Sequence, residues 1–240
     1  MPMESLLEGA RSLGLELTEE QLRAFQIYYE ELIAWNERFN LTAITDYEGV
    51  QIKHFLDSLT CLLAVQSPGE AIDVGTGAGF PGLPLKIVRP ELRLTLLEAR
   101  GKKVAFLEHL IERLGLKGVR AIKGRAEELG RDQAHRERYD LALARALAKF
   151  PTLLEYTLPF CRIGGLVVAQ RGTAARREVE EAAWAISVLG GRLRRILTLR
   201  LPGLEEPRHL VVIEKVASTP GRYPRRPGIP AKRPLIKKSP

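Results

Sequence analysis

The sequence predicts an α/β fold: a mostly parallel, seven-stranded sheet preceded by a small helical cap. Three observations carry this expectation. Short apolar runs alternate with amphipathic stretches from residue 70 to 190, the pattern of strands joined by crossover helices. Only the short link LPGLEEPR separates the last two apolar runs, so those two should pair antiparallel as an edge hairpin. Residues 17 to 65 instead recur at helical spacing.

In chain order, the first helix fits Leu17 to Asn40, where Thr18 and Gln21 have the spacing of a capping box and Leu22, Phe25, Tyr29, Leu32 and Ile33 form one face. A second helix fits Tyr47 to Val65, stopped by Pro68-Gly69. Strands are expected at 71–74, 93–99, 119–124, 139–144, 165–170 and 209–216, with a further long one in GRLRRILTLRL. Helices are expected at Leu83 to Val88, Lys102 to Leu114, near Lys149 to Leu158, and at Ala174 to Leu189. This divides the chain into a helical cap (1–68), a sheet domain (69–217) and a tail (218–240).

A chain of 240 residues buries roughly 70% of its unfolded surface, so it needs no disulfide or metal to fold. Cys61 and Cys161 stand alone and the four histidines lack ligand spacing, so no metal site is expected. No apolar run approaches the roughly 18 residues of a membrane span and the start lacks a signal pattern, which points to the cytosol. The net charge of +8 is unevenly spread: residues 1 to 65 carry 4 basic and 11 acidic groups, and 215 to 240 carry 8 basic and none acidic. A basic end of this kind suits phosphates, although a merely solvated end has the same composition. Prolines at 220, 224, 227, 230 and 234 exclude a helix or central strand there, leaving an extended segment that either moves freely or docks through Tyr223 and Ile229.

The sharpest local signal is Asp73-Val74-Gly75-Thr76-Gly77-Ala78-Gly79-Phe80, between the first strand and the next helix. Glycines at 75, 77 and 79 let the backbone turn tightly and approach a ligand. Alone, G-x-G-x-G is weak; its place at the first strand of an alternating unit points to a nucleotide or cofactor loop. Glu98 follows 23 residues after Gly75, at the end of the second strand, where an acid can accept both hydroxyls of a ribose. Asp73 puts a carboxylate near the loop, awkward for a pyrophosphate and natural beside a cationic amino-acid group. His54, Asp57 and Ser58 share one side of the second helix. They are poorly arranged for a hydrolytic triad and better suited to a bonded network bracing the cap, with RNA or cofactor contact as the alternative.

With these residues in view, the chain resembles the bacterial guanine-N7 methyltransferases of 16S ribosomal RNA, also known as glucose-inhibited division protein B. The resemblance rests on an ordered series: NLTAI at 40–44, KHFLDSL at 53–59, DVGTGAGFPGLPLKIVRP at 73–90, LLEARGKKVAFL at 96–107, GRAEEL at 124–129, ERYD at 137–140, ARALA at 144–148, RHLVVIEK at 208–215 and YPRRPGIPAKRPL at 223–235. It implies a Rossmann-like class I S-adenosylmethionine-dependent methyltransferase fold. It further implies that Gly75 and Phe80 line the cofactor pocket, with Ala126 and Glu127 at the adenine end and Arg145 nearby. The family often has Asp where Glu98 stands and Lys-Gly where Arg171-Gly172 stands.

The missing motifs agree with this chemistry. No Asn/Asp-Pro-Pro-Tyr/Phe motif and no Pro-Cys nucleophile is present, whereas guanine N7 has a free lone pair at neutral pH and needs alignment without an obligatory base. Arg145 is then the expected positioning residue, and Lys102, Lys103, Arg171, Arg222, Arg225, Arg226, Lys232 and Arg233 the expected RNA contacts. A monomer is expected. Removing residues 218–240 should weaken RNA binding and spare the cofactor site. The rival readings are a nucleotide-linked oxidoreductase, which would bind NAD, and a ribosomal RNA-binding assembly factor without activity.

Overall fold

The computed structural model describes residues 3–65 and 69–236. The cap comprises α1 (Glu4–Ser12), α2 (Glu19–Phe39) and a continuous helical run containing α3 (Tyr47–Val50), a π-helical stretch (Gln51–Leu56), α4 (Asp57–Leu59) and a final 3-10 turn (Thr60–Leu63). The α2 capping box forms as its spacing predicts: the Thr18 hydroxyl accepts from Gln21 N at 3.2 Å, and Thr18 N donates to Gln21 Oε1 at 3.0 Å. The π-helical stretch is not visible in the apolar pattern, since six residues are too short a run for its wider period to show. Unanticipated too, α1 has no side-chain cap and is held by burial of Leu6 and Ala10 and by Gln51, whose Oε1 accepts from Leu6 N at 3.2 Å. The expected stop at Pro68 lies outside the described residues.

The sheet domain follows as β1 (Glu70–Val74), α5 (Gly82–Val88), β2 (Arg93–Glu98), α6 (Gly101–Arg113), β3 (Val119–Lys123), α7 (Ala126–Leu129), β4 (Tyr139–Arg145), α8 (Phe150–Thr157), β5 (Cys161–Arg171), α9 (Ala175–Glu181), α10 (Ala183–Val188), β6 (Gly191–Leu199) and β7 (Arg208–Lys215). The helix expected over 174–189 is thus two helices, parted at Ala182, whose φ of −92° and ψ of 4° leave the helical region. The strands form one sheet in the order β3-β2-β1-β4-β5-β7-β6. Strands β1 to β5 are parallel, and β7 pairs antiparallel with both β5 and β6. The hairpin therefore closes one edge, with its second strand inserted beside β5.

Alternation along the strands sorts side chains onto two faces. Leu141 and Leu143 join the larger core, shared with α2, α5, α6 and the cap, whereas Ala142 and Ala144 face α8 in the second core. The order reverses between β1 and β4, and such a switch point opens a crevice at the carboxyl ends of the strands. No described helix is long and apolar enough to cross a membrane.

The tail departs from expectation. It contains one helical turn, α11 (Ile229–Lys232), tolerated because Pro230 lies in the first turn, where no backbone N–H is required. Tyr223 and Leu235 are buried, whereas Ile229, an expected anchor, is exposed. Three tail carbonyls, of Thr219, Pro220 and Tyr223, accept from Arg136.

Candidate active site

At the switch point a cavity of about 320 Å³ opens between the ends of β1, β2 and β4, with Gly75, Gly77, Glu98, Ala126, Glu127 and Leu147 among its walls. Its loop is pinned from behind. Asp73 is fully buried, and its Oδ2 accepts from Thr76 Oγ1 at 2.6 Å and from Gly82 N at 2.8 Å. Burial raises its pKa to about 6 despite those bonds. Sequence reasoning sets this carboxylate beside a ligand's cationic group, directly or through water; in the structure Oδ2 braces the loop, Oδ1 is buried without a partner, and the residue is not on the cavity wall. Gly79 is also behind the wall. A Cβ there would meet Tyr28 Oη and Leu83, and this close approach lets the fully buried Tyr28 of α2 donate to Ala78 O at 2.6 Å. Sequence periodicity puts Tyr29 on that face and misses Tyr28.

Gly77 has φ +64°, and a Cβ there would meet only Lys103 Nζ, at 3.6 Å, so the backbone lies open to the cavity. Glu98 faces it, its Oε2 accepting from Gly77 N at 3.1 Å and its Oε1 from Arg100 N at 2.9 Å. Each oxygen keeps a further lone pair, so the acid is oriented for a diol. Apolar Leu97, Ala126 and Leu147 wall a space fit for a planar base. These features fit an adenosine-bearing ligand such as S-adenosylmethionine. Lys103, expected on the RNA side, lines this cavity, whereas Lys102 is exposed.

A second cavity, about 360 Å³, adjoins the first at Ala146 and is lined by Lys53, His54, Asp57, Arg145, Gln170 and Arg208, among others. Ala146 has φ +50°, an uncommon conformation for a residue with a Cβ and one concentrated at functional sites. Phe80 is not on the first cavity's wall: its ring lies nearly parallel to those of His54 and Tyr28, at 4.6 and 5.3 Å between centroids, with the Arg145 guanidinium 4.9 Å from its centre. Arg145 donates from Nη1 to Lys53 O at 3.1 Å and to Asp57 Oδ2 at 3.4 Å. Its Nη2 reaches His54 Nδ1 at 3.2 Å. The same Nδ1 lies 3.2 Å from Lys53 O, and Nε2 is 2.7 Å from Thr42 Oγ1, so the ring is held by polar contacts at both nitrogens. Ser58 Oγ donates to His54 O at 2.6 Å, which turns the hydroxyl to its own helix and away from a triad, while His54 and Asp57 line the second cavity.

Among the expected RNA contacts, two are engaged by acids of this chain. Arg225 forms a bidentate pair with Glu155, which is 0% exposed, at 2.9 Å (Nε to Oε1) and 2.6 Å (Nη2 to Oε2). Arg171 is likewise bidentate to Glu178, at 2.8 and 2.6 Å, and also lines the second cavity. Arg222, Arg226, Lys232 and Arg233 are exposed. The tail also reaches the cofactor-side cavity: Gly228 N donates to Glu127 Oε1 at 2.9 Å, beside Tyr156 Oη at 3.2 Å. The acid within FPTLLEYT, on an otherwise apolar helix, is the overlooked signal for an incoming cation.

A sequence model of the family described as GidB, rRNA small subunit methyltransferase G, matches residues 21–211. The ribosomal RNA small subunit methyltransferase G of Roseiflexus sp. (strain RS-1) is 53% identical over 234 residues, covering 97% of this chain and 100% of that protein. The protein of the same description from Pelotomaculum thermopropionicum is 51% identical over 234 residues, covering 97% and 98%. Among solved structures, a SAM dependent methyltransferase from Aquifex aeolicus aligns with a TM-score of 0.54 at 16% identity, over 73% of this chain and 97% of that one. TrmN from Thermus thermophilus aligns at 0.52 and 19% identity, over 67% and 48%. Those two likenesses establish the class I methyltransferase fold, and the sequence matches establish more: the chain belongs to the rRNA small subunit methyltransferase G (GidB) family.

Proposed function

We propose that this protein transfers a methyl group from S-adenosylmethionine to N7 of one guanosine in 16S ribosomal RNA of the small subunit, acting in the cytoplasm as a monomer. The observation that carries the reading is the pair of adjoining cavities, one walled by the glycine loop and Glu98 and the other rimmed by cations, meeting at Ala146 beside Arg145.

S-adenosylmethionine held in the first cavity supplies an electrophilic methyl group on a sulfonium. The protein's own work is alignment. Gly75 and Gly77 bring backbone against the ligand, Glu98 takes the ribose, and Ala126 and Glu127 bound the adenine end. Guanine N7 attacks with its own lone pair and gives up no proton, so no side chain must act as a base. Arg145 is fixed at the junction by Phe80, His54 and Asp57, ready to orient the nucleotide through phosphate or the purine edge. The Asp57 carboxylate beside it offsets a cation where the purine becomes positively charged.

Small subunits lacking the modification, incubated with methyl-labelled S-adenosylmethionine, should retain label in their 16S RNA with the native protein and lose it with Gly77→Leu. Absence of label with the native protein, together with S-adenosylhomocysteine binding, would favour the non-catalytic assembly factor. Binding of NAD in place of S-adenosylhomocysteine would favour the oxidoreductase.

A further inference from the structure

From Gly49 to Cys61 the helical run of the cap is buried at every residue except Lys53. Lys53 is exposed and lines the second cavity, so this segment reaches solvent where that cavity opens. Exposed charge is ordinary on a solvated helix face. Here it is confined to one position, and that position faces the substrate side of the molecule.

The other cations of the cavity are engaged by the chain itself. Arg145 holds Lys53 O, His54 Nδ1 and Asp57 Oδ2. Arg171 is bidentate to Glu178, and Arg208 Nε stands 3.7 Å from Asp57 Oδ1. Asp57, four positions after Lys53 and its natural partner on a helix, is thus taken up by two arginines. Among the described residues the Lys53 ammonium forms no ion pair. Its backbone, in contrast, is fixed: Lys53 O accepts from Arg145 Nη1 at 3.1 Å and lies 3.2 Å from His54 Nδ1. The residue belongs to the π-helical stretch Gln51–Leu56, a geometry that recurs at functional sites.

Resting on the RNA reading above, we infer that Lys53 binds a phosphate of the RNA backbone at the target nucleotide. An ammonium on a flexible stem meets a phosphodiester as a point charge, without reading the base. One residue then serves two tasks: its carbonyl locks Arg145 at the junction, and its side chain holds the strand that brings the guanine there. Lys53 is a substrate-binding residue and is not on the wall of the cofactor cavity.

The test compares the native protein with Lys53→Gln and Lys53→Arg on small subunits lacking the modification, over a series of salt concentrations. Lys53→Gln should raise the subunit KM about tenfold, the size of a charge-assisted contact. The log–log dependence of subunit affinity on salt should become shallower by about one. S-adenosylhomocysteine affinity and melting temperature should stay close to native. Lys53→Arg keeps the charge and should restore the salt slope. Lys53→Met provides the same comparison if Lys53→Gln does not fold. An unchanged KM, or a raised KM with the native salt slope, would overturn the assignment, as would an equal loss in Lys53→Arg. Failure of the native protein to bind and methylate the subunits would overturn the RNA reading first, before any variant is compared.

Discussion

Arg145 and His54, 91 positions apart in the chain, meet at 3.2 Å through Nη2 and Nδ1. The contact joins the end of β4 to the helical cap, and Thr42 and Phe80 hold the imidazole from its other sides. Cap and sheet therefore meet through a polar junction at the place where the two cavities adjoin.

This junction has a pH signature. Burial, and then the Arg145 charge, lower the His54 pKa from 6.5 to about 3. An unfolded chain takes up that proton first, so the stability contributed by neutral His54 is complete above about pH 6.5 and is lost as pH falls toward 3. His54→Asn should be destabilising near neutral pH, with a penalty that shrinks on acidification by up to about 1.4 kcal/mol per pH unit. Buried Asp57 and Asp73, whose pKa values are raised, have the opposite dependence but occur in both proteins, so they largely drop out of the difference. Urea unfolding of both proteins from about pH 7.5 to 4 measures it; a penalty independent of pH would refute the assignment.

Gly77→Leu should project a branched side chain into the first cavity, where a Cβ has only Lys103 Nζ nearby. S-adenosylhomocysteine affinity should fall at least about fivefold, as expected for one to three kcal/mol of overpacking. Calorimetry and circular dichroism on the same sample separate lost binding from lost fold. Unchanged affinity would remove the glycine loop from the site.

Arg145 lines the second cavity and not the first. Arg145→Ala should lower kcat at least about a hundredfold through misalignment and change S-adenosylhomocysteine affinity much less. Arg145→Lys keeps the charge but not the fork that reaches Lys53, His54 and Asp57, so it should recover stability more than rate. Parallel losses of rate and cofactor affinity would make Arg145 a cofactor ligand only.

The architecture was legible because burial wrote itself into period: YDLALAR alternates Leu and Ala, and the observed β4 faces two cores with those residues. The loop and Glu98 were legible because few backbones tolerate so many glycines next to a strand. Partners were not. Nothing in the sequence near Asp73 tells whether its carboxylate points at a ligand or back at Gly82 N. Tyr28 and Tyr29 are equally good helix residues, and only the packed structure selects Tyr28 to reach Ala78. Arg225 and Arg226 look alike in a basic tail, yet buried Glu155 captures the first and leaves the second exposed. The long-range pairings that distinguish them carry no local periodicity.

The docked tail changes one expectation. Ending the chain after residue 222 removes the Arg225 partner of buried Glu155 and the Gly228 N–H on Glu127. Thermal stability should fall, since stripping one partner from a buried pair costs about 3 kcal/mol or more, and S-adenosylhomocysteine affinity should weaken as well. Replacing exposed Arg222, Arg226, Lys232 and Arg233 by alanine should instead preserve melting temperature and make RNA binding less salt-dependent, by about one in the log–log slope for each phosphate that is no longer neutralised. Cofactor affinity unaffected by truncation would show that the tail does not support the Glu127 wall.

Nucleoside mass spectrometry of small-subunit RNA after reaction tests the central claim most directly. Unmodified subunits treated with the native protein and S-adenosylmethionine should yield 7-methylguanosine, mapped by borohydride reduction and aniline cleavage to one position of 16S RNA, and Arg145→Ala should yield little at that same position. Methyl groups found on an exocyclic amine, a pyrimidine carbon or a ribose hydroxyl would contradict a site built for alignment without a base.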